Sequence, residues 1–176
     1  MADLRERVVE DRGLLSKIQA YIPGFNGYRA REDLRAADDM LRIQAADMLA
    51  SIRADMEACR AVIARNMTLE YLESLGALIA RFKTTEGEVR HAAQGYSGIS
   101  AKIQVQESQL NKLYEYDLSL MKGLSDIKTD AVSLREAVNT KNAGAISMGI
   151  ASIDAKLMGF EDVFKRRMTV ITNAEA

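Results

Sequence analysis

The chain has one proline, one cysteine, one histidine and no tryptophan among 176 residues, and each shortage excludes something. Cys59 stands alone, so no disulfide can close inside the chain. His91 stands alone too, so no centre that needs several histidines can be assembled within it. Pro23 is the only proline, which leaves the remainder open to uninterrupted helix. Long apolar runs are missing: nothing approaches the ~20 residues that span a bilayer, and residues 1–12 lack the unbroken apolar core of a signal peptide. An excess of one charge is also missing. With 24 basic and 25 acidic residues the net charge is −1, so no whole-molecule field favours nucleic acid or an anionic membrane. The sequence shows no glycine-rich phosphate loop, His-Glu-x-x-His, serine or cysteine nucleophile motif, or zinc-ligand spacing. The expectation is a soluble, cytoplasmic, non-enzymatic protein with no cofactor, no metal, no nucleic-acid partner and no stable membrane insertion.

What is present is helix-forming. Apolar residues make up 48% of the chain and charged ones 28%, a mixture that collapses around a core. At this length a single domain covering residues 1–176 is expected, burying roughly 70% of its unfolded surface. Five helices follow from apolar residues at three- and four-residue spacing. The first is expected from about Asp3 to Tyr21, stopped by Pro23. In the second, Ala30, Leu34, Ala37, Leu41, Ala45, Met48, Ile52, Met56, Cys59 and Ile63 recur over 33 residues in nine turns, about 3.67 per turn. A break near Asn66 and Met67, with Thr68 as cap, precedes a third helix over about Leu69–Ala93, facing inward through Leu69, Leu72, Leu75, Ile79, Phe82 and Val89. The fourth, about Val105–Asn139, carries a strict heptad: Ile103, Gln106, Leu110, Leu113, Asp117, Leu120, Leu124, Ile127, Ala131, Leu134 and Val138. Asn142-Ala143-Gly144 can turn the chain into a fifth, about Ala145–Thr172, lined by Ile146, Ile150, Ile153, Leu157, Phe160, Phe164 and Ile171. Short connections favour antiparallel neighbours, so the predicted architecture is all-α: an elongated up-and-down bundle of four to five long antiparallel helices.

Several constellations invite a chemical reading. The pattern Gly-aromatic-x-Gly-apolar occurs at Gly24–Tyr28 and again at Gly95–Ile99, each ahead of a long helix. Turn-permitting glycines with Phe25, Tyr28, Tyr96 and Ile99 plugging the bundle ends is the favoured explanation. The chemical alternative is an anion site at Gly27 and Tyr28, whose backbone N–H groups would point outward with Arg29, Arg31 and Arg35 nearby. Asp117 interrupts the apolar heptad beside Tyr114 and Tyr116, and a buried carboxylate requires a partner. Arg35 and Arg42 are the expected partners, with Asp117 fixing helix register. Glu88-Val89-Arg90-His91 has the Glu-x-x-His spacing of a di-iron bundle, but a lone pair cannot complete that site. Cys59 sits on a core line as a small hydrophobe. Lys165-Arg166-Arg167 near a helix carboxyl end is expected to be a solvated run matched to the helix dipole.

Ile22-Pro23-Gly24-Phe25-Asn26-Gly27-Tyr28, followed by Arg31-Glu32-Asp33-Leu34-Arg35-Ala36-Ala37-Asp38 and Arg42, resembles the opening signature of a family of small prokaryotic all-helical proteins. Gly95-Tyr96-Ser97-Gly98 followed by Leu110, Leu113-Tyr114-Glu115-Tyr116-Asp117 and Leu120 is similar to that family's second signature. The two patches cover about a third of the chain. The resemblance implies a helical fold with no established activity and no catalytic residues. It also implies one polar cluster near the glycine loops, formed by Arg35, Asp38, Arg42, Tyr114 and Asp117. Two functions remain open from the sequence. One is a non-enzymatic interaction or scaffolding module that binds a protein partner or itself. The other is a small-molecule or anion-binding protein that uses the polar cluster.

Overall fold

The computed structural model describes residues 4–28, 31–66, 69–92 and 107–172. Among them are five helices and no strand: α1 (Leu4–Gln19), α2 (Arg31–Asn66), α3 (Glu70–His91), α4 (Glu107–Asn139) and α5 (Ala143–Thr172). The all-α bundle expected from periodicity is the fold. With 36 residues at 1.5 Å rise, α2 is on the order of 50 Å long. A rod of that length keeps its shape because one face is buried from Ala37 to Ile63. No helix among the described residues is long and apolar enough to cross a membrane.

Two helical hairpins make the body. Arg42 meets Arg90, Arg53 meets Glu86, and Arg60 lies against Gly76, so α2 and α3 run antiparallel. Asp117 meets Arg167, Asp130 meets Ser152, and Leu134 lies against Gly149, so α4 and α5 do likewise. The hairpins pack side by side in the same sense. Lys128 on α4 reaches Ser51 and Asp55 on α2, while Arg81 on α3 reaches Asp154 and Glu161 on α5. Direction alternates along the chain, yet α2 lies parallel to α4 and α3 parallel to α5. The chain therefore passes from α3 to α4 without making those two principal neighbours. α1 lies along the outside of α4.

The core forms one cluster along these seams, and each large apolar side chain in it contributes roughly 1.5–3 kcal/mol. The heptad of α4 is buried from Leu113 to Val138, Asp117 included. α3 departs from expectation. Its buried line is Tyr71, Leu75, Leu78, Phe82, Thr85 and Val89, whereas Leu72 and Ile79 flank it and Leu69 is 76% exposed at the helix start. Apolar residues occupy two adjacent lines on this helix, and contact with α2 and α5 together selects between them. The expected cap, Thr68, lies outside the described residues.

The α4–α5 turn differs in detail from Asn142-Ala143-Gly144. Lys141 takes a left-handed conformation (φ 55°), and Asn142 donates its backbone N–H to the Ala137 carbonyl at 2.9 Å. The Asn142 side chain accepts from the Ala145 N–H at 3.1 Å and so caps α5. Gly87 and Gly123 sit inside helices with open space where a Cβ would go, whereas a Cβ on Gly149 would press on Leu134 at 3.1 Å. Gly87→Ala and Gly123→Ala are each expected to stabilise the protein by about 0.5–1 kcal/mol. Gly149→Ala should give no comparable gain. Urea unfolding followed by circular dichroism checks all three.

Candidate functional site

The strongest concentration of buried polar groups lies where α2, α4 and α5 meet the α1–α2 loop. Local sequence explains why the loop reaches inward. After α1, the Ile22 and Phe25 N–H groups bond to the Ile18 and Ile22 carbonyls, and the Gln19 side chain donates to the Phe25 carbonyl at 2.8 Å. Gly24 and Gly27 then take φ of 83° and 78°, conformations that residues with a Cβ adopt only with strain. Gly27 also packs so closely on the Tyr114 hydroxyl that any Cβ would collide with it. The tight bend delivers Phe25 and Tyr28 into the core, their rings edge-to-face at 5.6 Å. The expected plugging of this bundle end by Phe25 and Tyr28 is what their burial produces. Tyr96 and Ile99 of the second loop lie outside the described residues.

Around Tyr28 the side chains form a closed chain of bonds. The Tyr28 hydroxyl donates to Asp117 Oδ2, and the other oxygen of Asp117 accepts from Arg167 Nε at 2.5 Å. Arg167 Nη1 donates to Asp38 Oδ1 at 2.6 Å, and Nη2 to the Tyr28 hydroxyl at 3.0 Å. The second oxygen of Asp38 accepts from Arg42 Nε at 2.8 Å. Arg42 then donates through Nη1 to the Arg90 carbonyl at 3.0 Å, in the last turn of α3, and through Nη2 to Asp39. The Tyr28 backbone N–H donates to the Tyr114 hydroxyl at 3.0 Å. Two guanidinium groups and two carboxylates are thus buried together, and their charges cancel. Asp39 at the rim is exposed.

Electrostatics follow from this burial. Removal from water pushes the Asp117 carboxyl above its usual range, and the adjacent Arg167 offsets that only in part. Burial, then the Asp117 carboxylate, drive the Tyr28 hydroxyl well above its ordinary value. Burial acts to lower Arg167, but Asp117, Tyr28 and Asp38 outweigh it and hold its proton more firmly. Tyr28 is therefore a neutral hydrogen-bond donor near neutral pH, and Arg167 a permanent cation.

Of the residues expected to cluster, Asp38, Arg42, Tyr114 and Asp117 come together. Arg35 does not: it lies on the exposed side of α2, turned further round the helix than Asp38. Neither Arg35 nor Arg42 is the partner of Asp117. That role belongs to Arg167, and the expectation that the Lys165-Arg166-Arg167 run is solvated fails for its last member, which is 0% exposed. A signal existed, because Arg167 continues the buried line Phe160, Phe164, Ile171 at spacings of three and four. The anion site also needs correction. The Tyr28 N–H points inward to Tyr114, and Gly27 is buried, so these groups do not form an outward cradle. Arg29 lies outside the described residues, as does the side chain of Arg31. Cys59 is buried, with its thiol pushed up first by burial and then by Asp55, and His91 is exposed. No group of three or more His, Cys, Asp or Glu among the described residues is placed to hold a metal.

A second network ties α3 to α5. Arg81 donates to Glu161 Oε1 and Oε2 at 3.0 and 2.6 Å, and Thr85 donates to Glu161 at 2.7 Å. Burial opposes ionisation of Glu161, but the bonds from Arg81 and Thr85 outweigh it and leave the carboxyl below its usual value.

No family model, curated protein or solved structure matches this chain.

Arg167→Met strands Asp117 without its cation and is expected to cost about 3–5 kcal/mol. Adding Asp117→Asn should recover part of that loss, because it removes the orphaned charge. Urea midpoints of the single and double variants measure both. Glu161 and Asp117 predict opposite pH trends. A lowered folded pKa means Glu161 stabilises above the ordinary carboxylate range and loses this as pH falls through its folded value. A raised folded pKa means the Asp117 contribution declines as pH climbs through that value. In Glu161→Gln, the acid-side loss of stability between about pH 5 and about pH 3 should be shallower than in the wild type.

Proposed function

We propose that this protein is a non-enzymatic helical-bundle interaction module, which works by presenting its surface to a protein partner, itself included. One observation carries the reading. In the buried ionisable cluster, each carboxylate oxygen of Asp38 and Asp117 and each guanidinium nitrogen of Arg42 and Arg167 has a partner inside the protein. A binding or reaction centre requires groups that still seek a ligand. Here the charges neutralise one another, and the geometry holds helices together.

The alternative, a small-molecule or anion site at this cluster, has no cavity lined by the described residues alone. A cavity of about 590 Å³ is a shallow groove between α3 and α5 lined by Ser74, Ala77, Leu78, Ser147, Ile150 and Ala151 among others. Its walls are small and aliphatic side chains, with Tyr71 and the Arg81–Asp154 pair also lining it. Such a groove suits a protruding side chain of another protein better than a polar metabolite.

Crosslinking in native lysate is expected to recover the chain in a covalent complex of discrete mass. Titration with inorganic phosphate or nucleotides should leave the amide resonances of Gly27 and Tyr28 in place. Recovery of the uncrosslinked chain alone, together with a saturable shift at Tyr28, would reverse the reading in favour of the anion site.

A further inference from the structure

Unlike the four long helices, α1 is held on one side and by few groups. Its principal helix neighbour is α4 alone. From Arg12 to Gln19 only Ile18 is fully buried; Leu14 and Leu15 are half-buried, and Arg12, Gly13, Ser16, Lys17 and Gln19 are exposed. Among these described side chains no hydrogen bond or ion pair reaches α4, and the Gln19 bond goes to the loop that follows. The contact is also incompletely filled. A cavity of about 430 Å³ lies between Leu14 of α1 and Leu118, Ser119 and Gly123 of α4, with Glu115, Lys122 and Asp126 also lining it. Gly13 weakens the helix further, because glycine is a poor helix former and a Cβ there would meet only open space.

We infer that α1 is a displaceable strap, and that the face of α4 beneath it accepts an amphipathic helix of another chain in its place. The inference rests on the interaction-module reading and names the surface and the chemistry of the partner. Three observations carry it. First, the four-helix body is locked without α1: the bonds among Tyr28, Asp117, Arg167, Asp38 and Arg42 involve no α1 residue. Second, a hinge separates strap from body. Pro23 and Gly24 are exposed between α1 and Phe25, Gly24 has open space around it, and buried Phe25 and Tyr28 anchor the chain on the body side. The Gln19 and Phe25 bonds across this hinge are the polar ties that opening breaks, so α1 leaves while the buried cluster stays made. Third, the present occupant defines its replacement. α1 seats Leu14, Leu15, Ile18 and Ile22, aliphatic side chains at three- and four-residue spacing, yet leaves the space over Leu118 unfilled. A partner helix with the same spacing and a bulkier side chain at the Leu14 position fills that space and outcompetes the strap.

Hydrogen exchange of the full chain tests the strap, and a synthetic peptide of residues 4–22 tests the face. Amides of α1 should exchange about a hundredfold or more faster than core amides of α2, α4 and α5, because α1 opens without global unfolding. A tethered helix competes at an effective concentration of order millimolar. The peptide is therefore titrated to about that level, with the Leu118 and Gly123 amide resonances as readout. Leu14→Asp in the chain sets a new carboxylate beside Glu115 and Asp126, against the single Lys122. It should unseat the strap, so the peptide binds about tenfold more tightly than to the wild type. Gly13→Ala in the chain firms the strap and should weaken peptide binding by about two- to fivefold. A peptide carrying Leu14→Phe should bind more tightly than the native peptide. Circular dichroism verifies folding, and Gly13→Ala keeps the binding test available if Leu14→Asp does not fold. Equal protection of α1 and the core overturns the inference. So does a folded Leu14→Asp chain whose Leu118 and Gly123 resonances ignore the peptide, or peptide binding that Gly13→Ala leaves unaltered. The interaction-module reading fails separately, only if native crosslinking also recovers no complex with any protein.

Discussion

A guanidinium with no exposure to water must have its donors matched inside the protein, and Arg167 is in that position. Its partners come from three places: Asp117 on α4, Asp38 on α2, and Tyr28 on the loop between α1 and α2. Through Asp38 the chain of bonds continues to Arg42 and on to the final carbonyls of α3. All four long helices are therefore joined at one level of the bundle. Apolar seams alone do not define such a level, because a leucine displaced by one turn still meets a leucine. Ion pairs with fixed geometry tolerate no such slip, and breaking one leaves a buried charge uncompensated. Register specification is the role that best explains four buried charges in an otherwise apolar interior.

The opposite end of the molecule is closed differently. There, Lys141 in a left-handed conformation and Asn142 as a helix cap reverse the chain within a few residues. Between the two ends, the hairpins lie parallel to each other and share apolar seams, with surface ion pairs of the Arg53–Glu86 and Lys128–Asp55 kind adding little. Gly27 couples the locked end to the chain path. Its positive φ turns Tyr28 inward, and the absence of a Cβ leaves room for the Tyr114 hydroxyl. The signature around Pro23 and Gly27 that invited an anion-site reading is thus accounted for by packing.

Among the described residues no buried charge lacks a partner, which directs functional attention to the surface. There α1 sits on α4 through Ile18 and the half-buried Leu14 and Leu15, with an unfilled cavity between, whereas the four long helices are joined by the buried cluster. Hydrophobic exposure at single positions is ordinary, but a helix seated on few contacts marks the part of a fold that opens first.

Periodicity in the sequence alone determined the five helices, their approximate ends, and the inward lines of α2, α4 and α5, because amphipathic spacing is a local property. It also marked Asp117 as a buried acid in need of a cation. Which cation was decided only by tertiary structure, since the choice among Arg35, Arg42 and Arg167 depends on which helices become neighbours. The same holds for α3, where two adjacent apolar lines were both plausible and contact with α2 and α5 favoured the one through Tyr71, Leu78 and Thr85. Local pattern states what must be buried. Only the packing of distant segments settles what each buried group meets.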